Sequence, residues 1–378
     1  MQKFLVIQTA FIGDVVLATA ILEKLHAYFP EARIDFLVRK GNEGLLKDHP
    51  WLHKTLIWDK KQNKLKNLWR MTRSIRREKY DVVINVQRFT ATGLLTAFSG
   101  AKETIGFDKN PLSRFFTHRV PHVISVPEKA VPEKAVPEKP VPEKPAPTNA
   151  APASPASPAV PAPLHEIERN QTLISSFTDS QAARPRLYPS KTDAEKVAPY
   201  KDRPYITISP ASVWFTKQYP KEKWADFIKI VPPQYSIYLL GAPGDKPLAE
   251  WIIAAVHDQA AGPGDRPAPA APRIVDLTGQ LSFLQSAALM RNAAMNYVND
   301  SAPMHFASSV NAPVTAVYCS TIPGFGFGPL SDKSHIVELR EKLDCRPCGL
   351  HGYKACPLGH FNCARKIQDA QLLETLVG

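Results

Sequence analysis

The chain has 378 residues, which is enough for two or three domains. Apolar residues make up 44% and charged residues 22%, a balance typical of globular proteins that excludes wholesale disorder. The net charge of +12 indicates an anionic partner. No uninterrupted apolar run reaches the roughly 18 residues of a membrane-spanning helix, so we expect none.

The N-terminus does not have the pattern of a secretory signal. Its apolar run is interrupted at Gly13 and Asp14, and a charge there is incompatible with a signal h-region. We therefore expect a cytoplasmic protein, in which the five cysteines are reduced or metal-bound rather than paired.

The positive charge is concentrated before residue 127. Residues 1–126 hold 21 Lys and Arg against 11 Asp and Glu, whereas residues 164–378 hold 22 against 20. Much of the excess lies in residues 60–79, where apolar side chains recur at three- and four-residue steps from Leu65 to Ile75. This spacing predicts an amphipathic helix with a basic outer face. The face is either simply solvated or holds an anionic surface or substrate.

Two segments are rich in proline. Twelve of the 36 prolines lie in residues 127–163, which begin with four copies of V-P-E-K-A/P and continue as an Ala/Pro/Ser tract. Because proline removes backbone donors and prevents helix formation, we expect a disordered, extended insert that acts as a spacer. The shorter segment 262–272 predicts a surface loop.

The remaining sequence alternates short apolar runs with helical periodicity. Predicted strands and helices follow one another as strand 4–8, helix 15–28, strands 33–38 and 82–86, then strand 205–209, helix 224–230, strand 236–240, helices 249–257 and 283–292, strand 295–299, helix 304–310 and strand 314–318. This alternation predicts an α/β fold with two parallel sheets, dividing near residue 185. Ligands of such sheets bind beyond the carboxyl ends of strands.

Three loops at predicted strand ends carry polar side chains suited to chemistry. The first contains Thr9, Gly13 and Asp14. It matches neither a dinucleotide-binding fingerprint nor a P-loop. Asp14 is interpreted either as a helix cap or as a functional carboxylate. In the second loop, hydroxyl groups and a lysine ammonium precede a helix, and this arrangement suits the binding of a phosphate. The alternative interpretation, which is the commoner case for lysine, is a solvent-exposed loop side chain with no ligand. The residues of the second loop are Ser212, Thr216 and Lys217.

The third loop leads from a strand into a helix. Asp300 or Ser301 is expected to cap this helix, and Pro303 fits its first turn. The small residues Ser301 and Ala302 leave backbone N–H groups open to a phosphate. His305 lies one turn further and reads first as a structural hydrogen-bonding residue.

Four cysteines occur within nineteen residues near the C-terminus. The first pair has the C-x-x-C spacing of half a zinc site, but the second pair is seven residues apart, so zinc, a reduced cluster and a stress-formed disulfide remain open. The cysteines are Cys345, Cys348, Cys356 and Cys363.

Together these motifs resemble glycosyltransferase family 9, the ADP-heptose:lipopolysaccharide heptosyltransferases, particularly heptosyltransferase II-like members. The resemblance rests on F-I-G-D-V-V-L-A-T at 11–19, T-K-Q-Y-P-K-E-K-W at 216–224, D-L-T-G at 276–279, D-S-A-P-M-H-F-A at 300–307 and C-P-L-G-H at 356–360. Ala302 departs from the family's usual glycine but keeps the backbone amide. The proline-rich insert is foreign to the family and precedes a helix-like segment at 165–170, so it belongs within the first domain.

The resemblance implies a GT-B fold, in which two Rossmann-like domains face each other across a cleft. Residues 1–185 would bind the acceptor and residues 186–378 the nucleotide-sugar donor. It leaves open whether the final helix returns to the first domain.

The resemblance also implies roles for the three loops in an inverting transfer that requires no metal or other cofactor. Asp14, in the acceptor-side loop with Thr9 and Gly13, would be the general base. Lys217 would neutralise charge on the departing ADP, and the amides of Ser301 and Ala302 would hold its diphosphate. Further donor-binding residues would be Ser212, Thr216, Asp300 and His305, with Gly241 and Asp245 of the loop G-A-P-G-D at 241–245 near the ribose.

The implied substrates are ADP-heptose and an anionic, lipid-linked oligosaccharide of the lipid A/Kdo type at the inner leaflet of the membrane, with the enzyme peripheral to that surface. The same fold with a different nucleotide sugar is one alternative. A nucleic-acid-binding protein with a Cys-rich zinc module is another, but apart from Trp69 the basic segment lacks the interleaved aromatics that stack on bases. We therefore expect no nucleic-acid partner.

Overall fold

The structure is a computed structural model that describes residues 1–124, 163–258 and 272–377. The insert predicted at 127–163 and the loop predicted at 262–272 thus lie outside the described residues, except for the last position of each.

The first half of the chain forms a six-stranded parallel sheet with the order β3-β2-β1-β4-β5-β6. Its strands are β1 (Lys3–Ile7), β2 (Arg33–Arg39), β3 (Leu52–Trp58), β4 (Val82–Asn85), β5 (Glu103–Phe107) and β6 (His118–Val120). Its helices are α1 (Ile12–Tyr28), α2 (Lys64–Glu78), α3 (Thr90–Ala97) and, beyond the insert, α4 (Glu166–Gln171).

The second half forms another six-stranded parallel sheet, ordered β12-β11-β10-β7-β8-β9. The strands are β7 (Tyr205–Ser209), β8 (Ser236–Leu239), β9 (Ile274–Asp276), β10 (Met295–Asn299), β11 (Val314–Tyr318) and β12 (Ser334–Glu338). The helices are α5 (Lys191–Val197), α6 (Lys221–Ile230), α7 (Lys246–Asp258), α8 (Phe283–Met290), α9 (Ala302–Ser309), α10 (Asn362–Arg365) and α11 (Asp369–Val377).

Both sheets have the same Rossmann-like strand order, as predicted. The order reverses between β1 and β4 in the first sheet and between β7 and β10 in the second. Central strands such as β7 and β10 are buried along their whole length, as is typical of parallel strands covered on both faces. A crevice opens outside the carboxyl ends of the strands at such a reversal, and ligands of this fold bind there.

The two lobes share an apolar core. Side chains of α1, including Val15 and Val16, and side chains of α9, including Met304 and Ala307, belong to one buried cluster. Helices α1 and α9, which follow the first strand of one sheet and the fourth strand of the other, pack directly on each other. The first turns of both helices therefore meet at the cleft.

The final helix packs on the second lobe. Helix α11 contacts α6 and β12, and the Tyr297 hydroxyl donates to the Leu372 carbonyl at 3.0 Å. The alternative left open by the resemblance, a return to the first domain, is therefore wrong. None of the described helices is long and apolar enough to cross a bilayer.

Candidate active site

A cleft of about 800 Å³ lies between the lobes at the two strand-order reversals. The first lobe lines it with Ile12 and the segment that follows β2. The second lobe contributes the loops after its strands and the first turns of α8 and α9. Five residues predicted from sequence line this cleft: Ser212, Gly241, Asp245, Ser301 and Ala302.

Asp14 lies in the first turn of α1 and is half-buried. The helix begins at Ile12 with Phe11 as its N-cap, so Asp14 is not the N-cap residue but an acidic residue of the first turn. Burial first, and then the charge of Glu166, raises the pKa of Asp14 to about 6, although a hydrogen bond from the Phe11 backbone and the charges of Lys217 and Arg88 act in the opposite direction. A lysine of the second lobe is thus close enough to influence this carboxylate.

Lys217 is held by an ion pair in the second lobe. Its Nζ lies 2.6 Å from Asp300 Oδ2, and both side chains are largely buried. The Thr321 hydroxyl donates to the same carboxylate oxygen at 2.6 Å. Because Asp300 is bound by two donors within its own lobe, it orients the ammonium of Lys217.

The N-terminus of α9 is open at the cleft. Ser301 is the N-cap residue, but its side chain does not cap the helix; its hydroxyl donates to the Asn299 carbonyl at 3.3 Å. The expected side-chain cap from Asp300 or Ser301 is therefore absent, whereas Pro303 occupies the first turn as predicted. Uncapped N–H groups at the positive end of a helix dipole form a site for an anion.

Gly13 permits the close approach of the lobes. A Cβ at Gly13 would lie 2.9 Å from Cδ2 of His305 and 3.7 Å from Cα of Ala302. His305 is buried against this contact, and burial lowers its pKa to about 3, so the ring is neutral. The structure therefore places His305 in the contact between α1 and α9, and His305 is not among the cleft-lining residues.

Thr9 fixes the loop that follows β1. Its N–H and its hydroxyl both donate to Gln87 Oε1, at 3.0 and 2.5 Å, in the loop after β4. Its carbonyl accepts from Lys60 Nζ at 3.1 Å. Burial and the nearby charge of Arg39 lower the pKa of Lys60 to about 8. The loops after β1, β3 and β4 are thus joined beside Asp14.

Thr216 connects the loop of Lys217 to the Cys-rich segment, residues 345–363. Its hydroxyl accepts from the Tyr353 N–H at 2.7 Å and from the Ser320 hydroxyl at 3.0 Å, and its N–H donates to the Tyr353 carbonyl at 3.1 Å. The side chain is buried, so Thr216 fastens the loop in place.

The loop after β8 closes on itself. Asp245 Oδ2 accepts from the Ala242 N–H at 2.8 Å, and a Cβ at Gly241 would lie 2.9 Å from that same oxygen. Glycine at 241 therefore allows the carboxylate to approach the backbone at the cleft wall.

The five cysteines are all described and all have free thiols. Sγ of Cys345 lies 4.0 Å from Nε2 of His360. Burial and neighbouring thiols raise the pKa of Cys363 to about 12. Within residues 1–124, 163–258 and 272–377, no three His, Cys, Asp or Glu side chains are grouped to hold a metal, so this structure contains no preformed zinc site at the Cys-rich segment.

Sequence reasoning missed the charged residues around Asp14. Glu166, at the start of α4, is buried and paired with Arg169 at 2.7 Å, and burial raises its pKa. Arg88, after β4, is exposed. The position of Arg88 at a strand end could have identified it, whereas Glu166 is far from Asp14 in sequence and has no strand-end signal.

Comparison with known proteins identifies the family of the chain. Residues 154–353 match the family described as glycosyltransferase family 9 (heptosyltransferase). Lipopolysaccharide heptosyltransferase 3 of Escherichia coli is 23% identical over 82% of this chain and 82% of its own length. Lipooligosaccharide heptosyltransferase 2 of Haemophilus influenzae is 30% identical over 37% of this chain, and that match spans 38% of the relative's length.

The fold also matches solved structures. The structure of E. coli ADP-heptose lps heptosyltransferase II has a TM-score of 0.71 at 20% identity, covering 100% of this chain and 98% of that chain. The E. coli heptosyltransferase WaaC with ADP has a TM-score of 0.64 at 14% identity, covering 100% and 99%. Because the family match covers more than half of the chain, the protein belongs to glycosyltransferase family 9, the heptosyltransferase family, and is a glycosyltransferase with the GT-B fold.

Proposed function

We propose that the protein transfers heptose from ADP-heptose to a lipopolysaccharide core acceptor, with inversion at the anomeric carbon. One observation carries the proposal: a carboxylate with a pKa of about 6 on one lobe lies close enough to an ammonium on the other lobe to be influenced by its charge, and the neighbouring residue, Gly13, lies against the open N-terminus of α9. A base and an anion site on opposite sides of one cleft suit the attack of a hydroxyl and the departure of a diphosphate.

In this reaction the acceptor hydroxyl oxygen attacks the anomeric carbon of heptose, and the bond from that carbon to the diphosphate breaks. Asp14 takes the hydroxyl proton, and ADP leaves with the electron pair. Inversion follows because the oxygen enters opposite the leaving group. A positioned general base typically contributes about 10²–10⁴ in rate.

The donor's diphosphate would bind at the first turn of α9. The amides of Ser301 and Ala302 would donate to its oxygens, and Lys217, oriented by Asp300, would neutralise the charge that develops on ADP. Thr216 would act by holding the lysine loop rather than by touching the donor.

The rest of the donor would occupy the cleft, whose volume of about 800 Å³ suits a nucleotide sugar. The adenine would lie against the apolar wall formed by Phe283, Met290 and Phe306. Ser212 and the loop of Gly241 and Asp245 would face the ribose hydroxyls. We infer that residues 186–378 form this donor domain, since α5 packs on α8 just beyond that boundary.

Residues 1–185 would form the acceptor domain. Lys60 and Arg88, beside Asp14, would attract the phosphates and carboxylates of a lipid-linked core oligosaccharide. The relatives include lipopolysaccharide heptosyltransferases, which supports this acceptor class. The enzyme would then work in the cytoplasm at the inner leaflet of the membrane.

Calorimetry with a panel of nucleoside diphosphates tests the donor assignment. We expect ADP to bind and UDP, GDP and CDP to bind at least about tenfold more weakly, one tenfold step corresponding to about 1.4 kcal/mol. Selectivity for another nucleotide would instead favour the alternative in which the fold uses a different nucleotide sugar.

Two variants, Asp14→Asn and Lys217→Ala, test the roles of the proposed base and of the proposed donor site separately. Asp14→Asn should bind ADP like the parent protein while turnover falls by about 10²–10⁴. Lys217→Ala should weaken ADP binding. Full turnover in Asp14→Asn would show that Asp14 is not the base.

A further inference from the structure

Helix α2 presents an unusual concentration of unpaired positive charge. Its exposed basic side chains have no carboxylate partner among the described residues. They are Lys64, Lys66, Arg70, Arg73, Arg76 and Arg77. Other cations of the same lobe are paired with carboxylates, for example Lys24 with Asp179 and Lys102 with Asp81. The charge of α2 is therefore available to an outside partner.

Two large apolar side chains lie beside these cations. Leu65 is 75% exposed and Trp69 is 74% exposed, one helical turn apart. Thr72 and Ile75 pack on the lobe. By helical geometry the basic side chains of Lys66, Arg70, Arg73 and Arg77 lie opposite this packed side, and Leu65 and Trp69 lie at the border between the packed side and the basic stripe. Because Leu65 and Trp69 are largely exposed, α2 does not use them for its own packing, and its outer face combines these two apolar side chains with the basic stripe.

The face is adjacent to the cleft. Helix α2 follows β3, and Lys60, in the loop between them, donates to the carbonyl of Thr9 at 3.1 Å. The first turn of α2, which carries Leu65, therefore begins close to the loop of Asp14. A surface bound to this end of α2 would lie next to the acceptor side of the cleft.

We propose that the outer face of α2 docks the protein on an anionic lipid bilayer, with Trp69 and Leu65 inserted at the headgroup level and the basic stripe against anionic headgroups. Tryptophan favours the bilayer interface, and Lys and Arg on the polar face are typical of helices that lie in it. Such docking brings a lipid-anchored acceptor to the cleft, and this purpose rests on the proposed function. A single exposed aromatic offers little stacking to nucleic acid, so a bilayer is the partner that this composition favours.

Sedimentation with acceptor-free vesicles tests the docking independently of catalysis. The full-length protein should bind phosphatidylcholine vesicles that contain phosphatidylglycerol and should bind pure phosphatidylcholine much more weakly. Arg70→Gln/Arg73→Gln should weaken binding to the anionic vesicles by about 20-fold, and Leu65→Ala/Trp69→Ala by about tenfold. All these positions are exposed, so the variants should keep the parent's thermal stability.

Matched controls come from the second lobe. Arg291→Gln/Lys333→Gln removes the same charge, and Leu358→Ala removes an exposed leucine. Both should bind vesicles like the parent protein. If they weaken binding as much as the α2 variants do, the attraction is a general effect of net charge and the proposal fails.

A second readout separates docking from the proposed function. With a delipidated, water-soluble acceptor, the α2 variants should turn over at the parent rate; with the acceptor embedded in anionic vesicles, they should be slower. Loss of activity on both acceptors would overturn the docking role, whereas inactivity of the parent protein on both would count against the proposed function alone. Binding of RNA in place of anionic vesicles at physiological salt would also overturn the proposal.

Discussion

Asp14 holds its proton to a higher pH than a free aspartate because it is removed from water and lies near the negative charge of Glu166. The positive charges of Lys217 and Arg88 limit this effect. A base with a pKa of about 6 is ionised at neutral pH and still accepts a proton readily. The pKa of Asp14 thus depends on charged residues from both lobes.

This environment predicts the pH dependence of the reaction. The value of kcat/KM should rise with pH and reach half its maximum near pH 6, because Asp14 must be ionised to act. Glu166→Gln should move this midpoint to lower pH, since it removes a neighbouring negative charge. An unchanged midpoint would show that another group controls the profile.

Thermal unfolding gives the same carboxylate a second readout. Since the folded pKa of Asp14 is above its ordinary value of 3.8, the folded state loses stability as pH rises from about 4 to about 6. Asp14→Asn should therefore be more stable than the parent above pH 6, on the order of 3 kcal/mol, with the difference vanishing below pH 4. A constant difference across this range would contradict the assigned burial.

Strand-end position predicts from the sequence that the loops of Asp14, Lys217 and Ser301 lie at the carboxyl edges of the sheets, where ligands of this fold bind. The roles of these three residues stay predictions. Partners within the site could not be assigned in this way. The pairing of Lys217 with Asp300, and the burial of Thr216 under Tyr353, depend on contacts between segments far apart in sequence.

At the scale of elements, the contact between α1 and α9 sets the position of the proposed base relative to the proposed anion site. Each helix brings one of them to its first turn, Asp14 on α1 and the open amides on α9. Gly13 is the point of closest approach, next to the buried ring of His305. Any added atom there changes the spacing across the cleft.

Gly13→Ala should therefore impair catalysis through spacing. The new Cβ would lie 2.9 Å from His305, so the helices must separate. We expect kcat/KM to fall at least about tenfold, with a stability loss of about 1–3 kcal/mol. The matched control is Gly244→Ala, where an added Cβ meets no described atom within 4 Å. Equal losses in both variants would rule out the helix contact as the cause.

Prediction of the elements succeeded where burial is complete. The strands at 205–209, 295–299 and 314–318 have the predicted bounds, and every residue in them is buried. The four edge strands β3, β6, β9 and β12 were missed, and so was β5. The exposed and charged residues of edge strands, as in β6 (His118–Val120), leave no apolar run to reveal them.

At the scale of the whole molecule, charge is divided between the lobes. The first 126 residues carry a net charge of +10, whereas residues 164–378 carry +2. A surface of one sign attracts an oppositely charged partner over about one Debye length, roughly 10 Å at 0.1 M salt. The asymmetry thus favours the capture of an anionic acceptor by the first lobe.

Steady-state kinetics at increasing salt should reveal this difference in net charge between the lobes. Between about 0.05 M and about 0.5 M salt, kcat/KM for a phosphorylated acceptor should fall about tenfold, because screening weakens long-range attraction. The KM for the donor should change less, since Lys217 is largely buried. Equal salt dependence for both substrates would place the attraction at the cleft itself.

Helix α4 makes contacts with both lobes. It packs on α1 of the first lobe, yet the Glu166 N–H donates to the Gly326 carbonyl at 2.7 Å and the buried Arg169 donates to the Phe325 carbonyl at 3.1 Å in the second lobe. Separating the lobes at this point would break both hydrogen bonds and open the packing around the guanidinium. Helix α4 therefore fastens the two lobes to each other beside the proposed base.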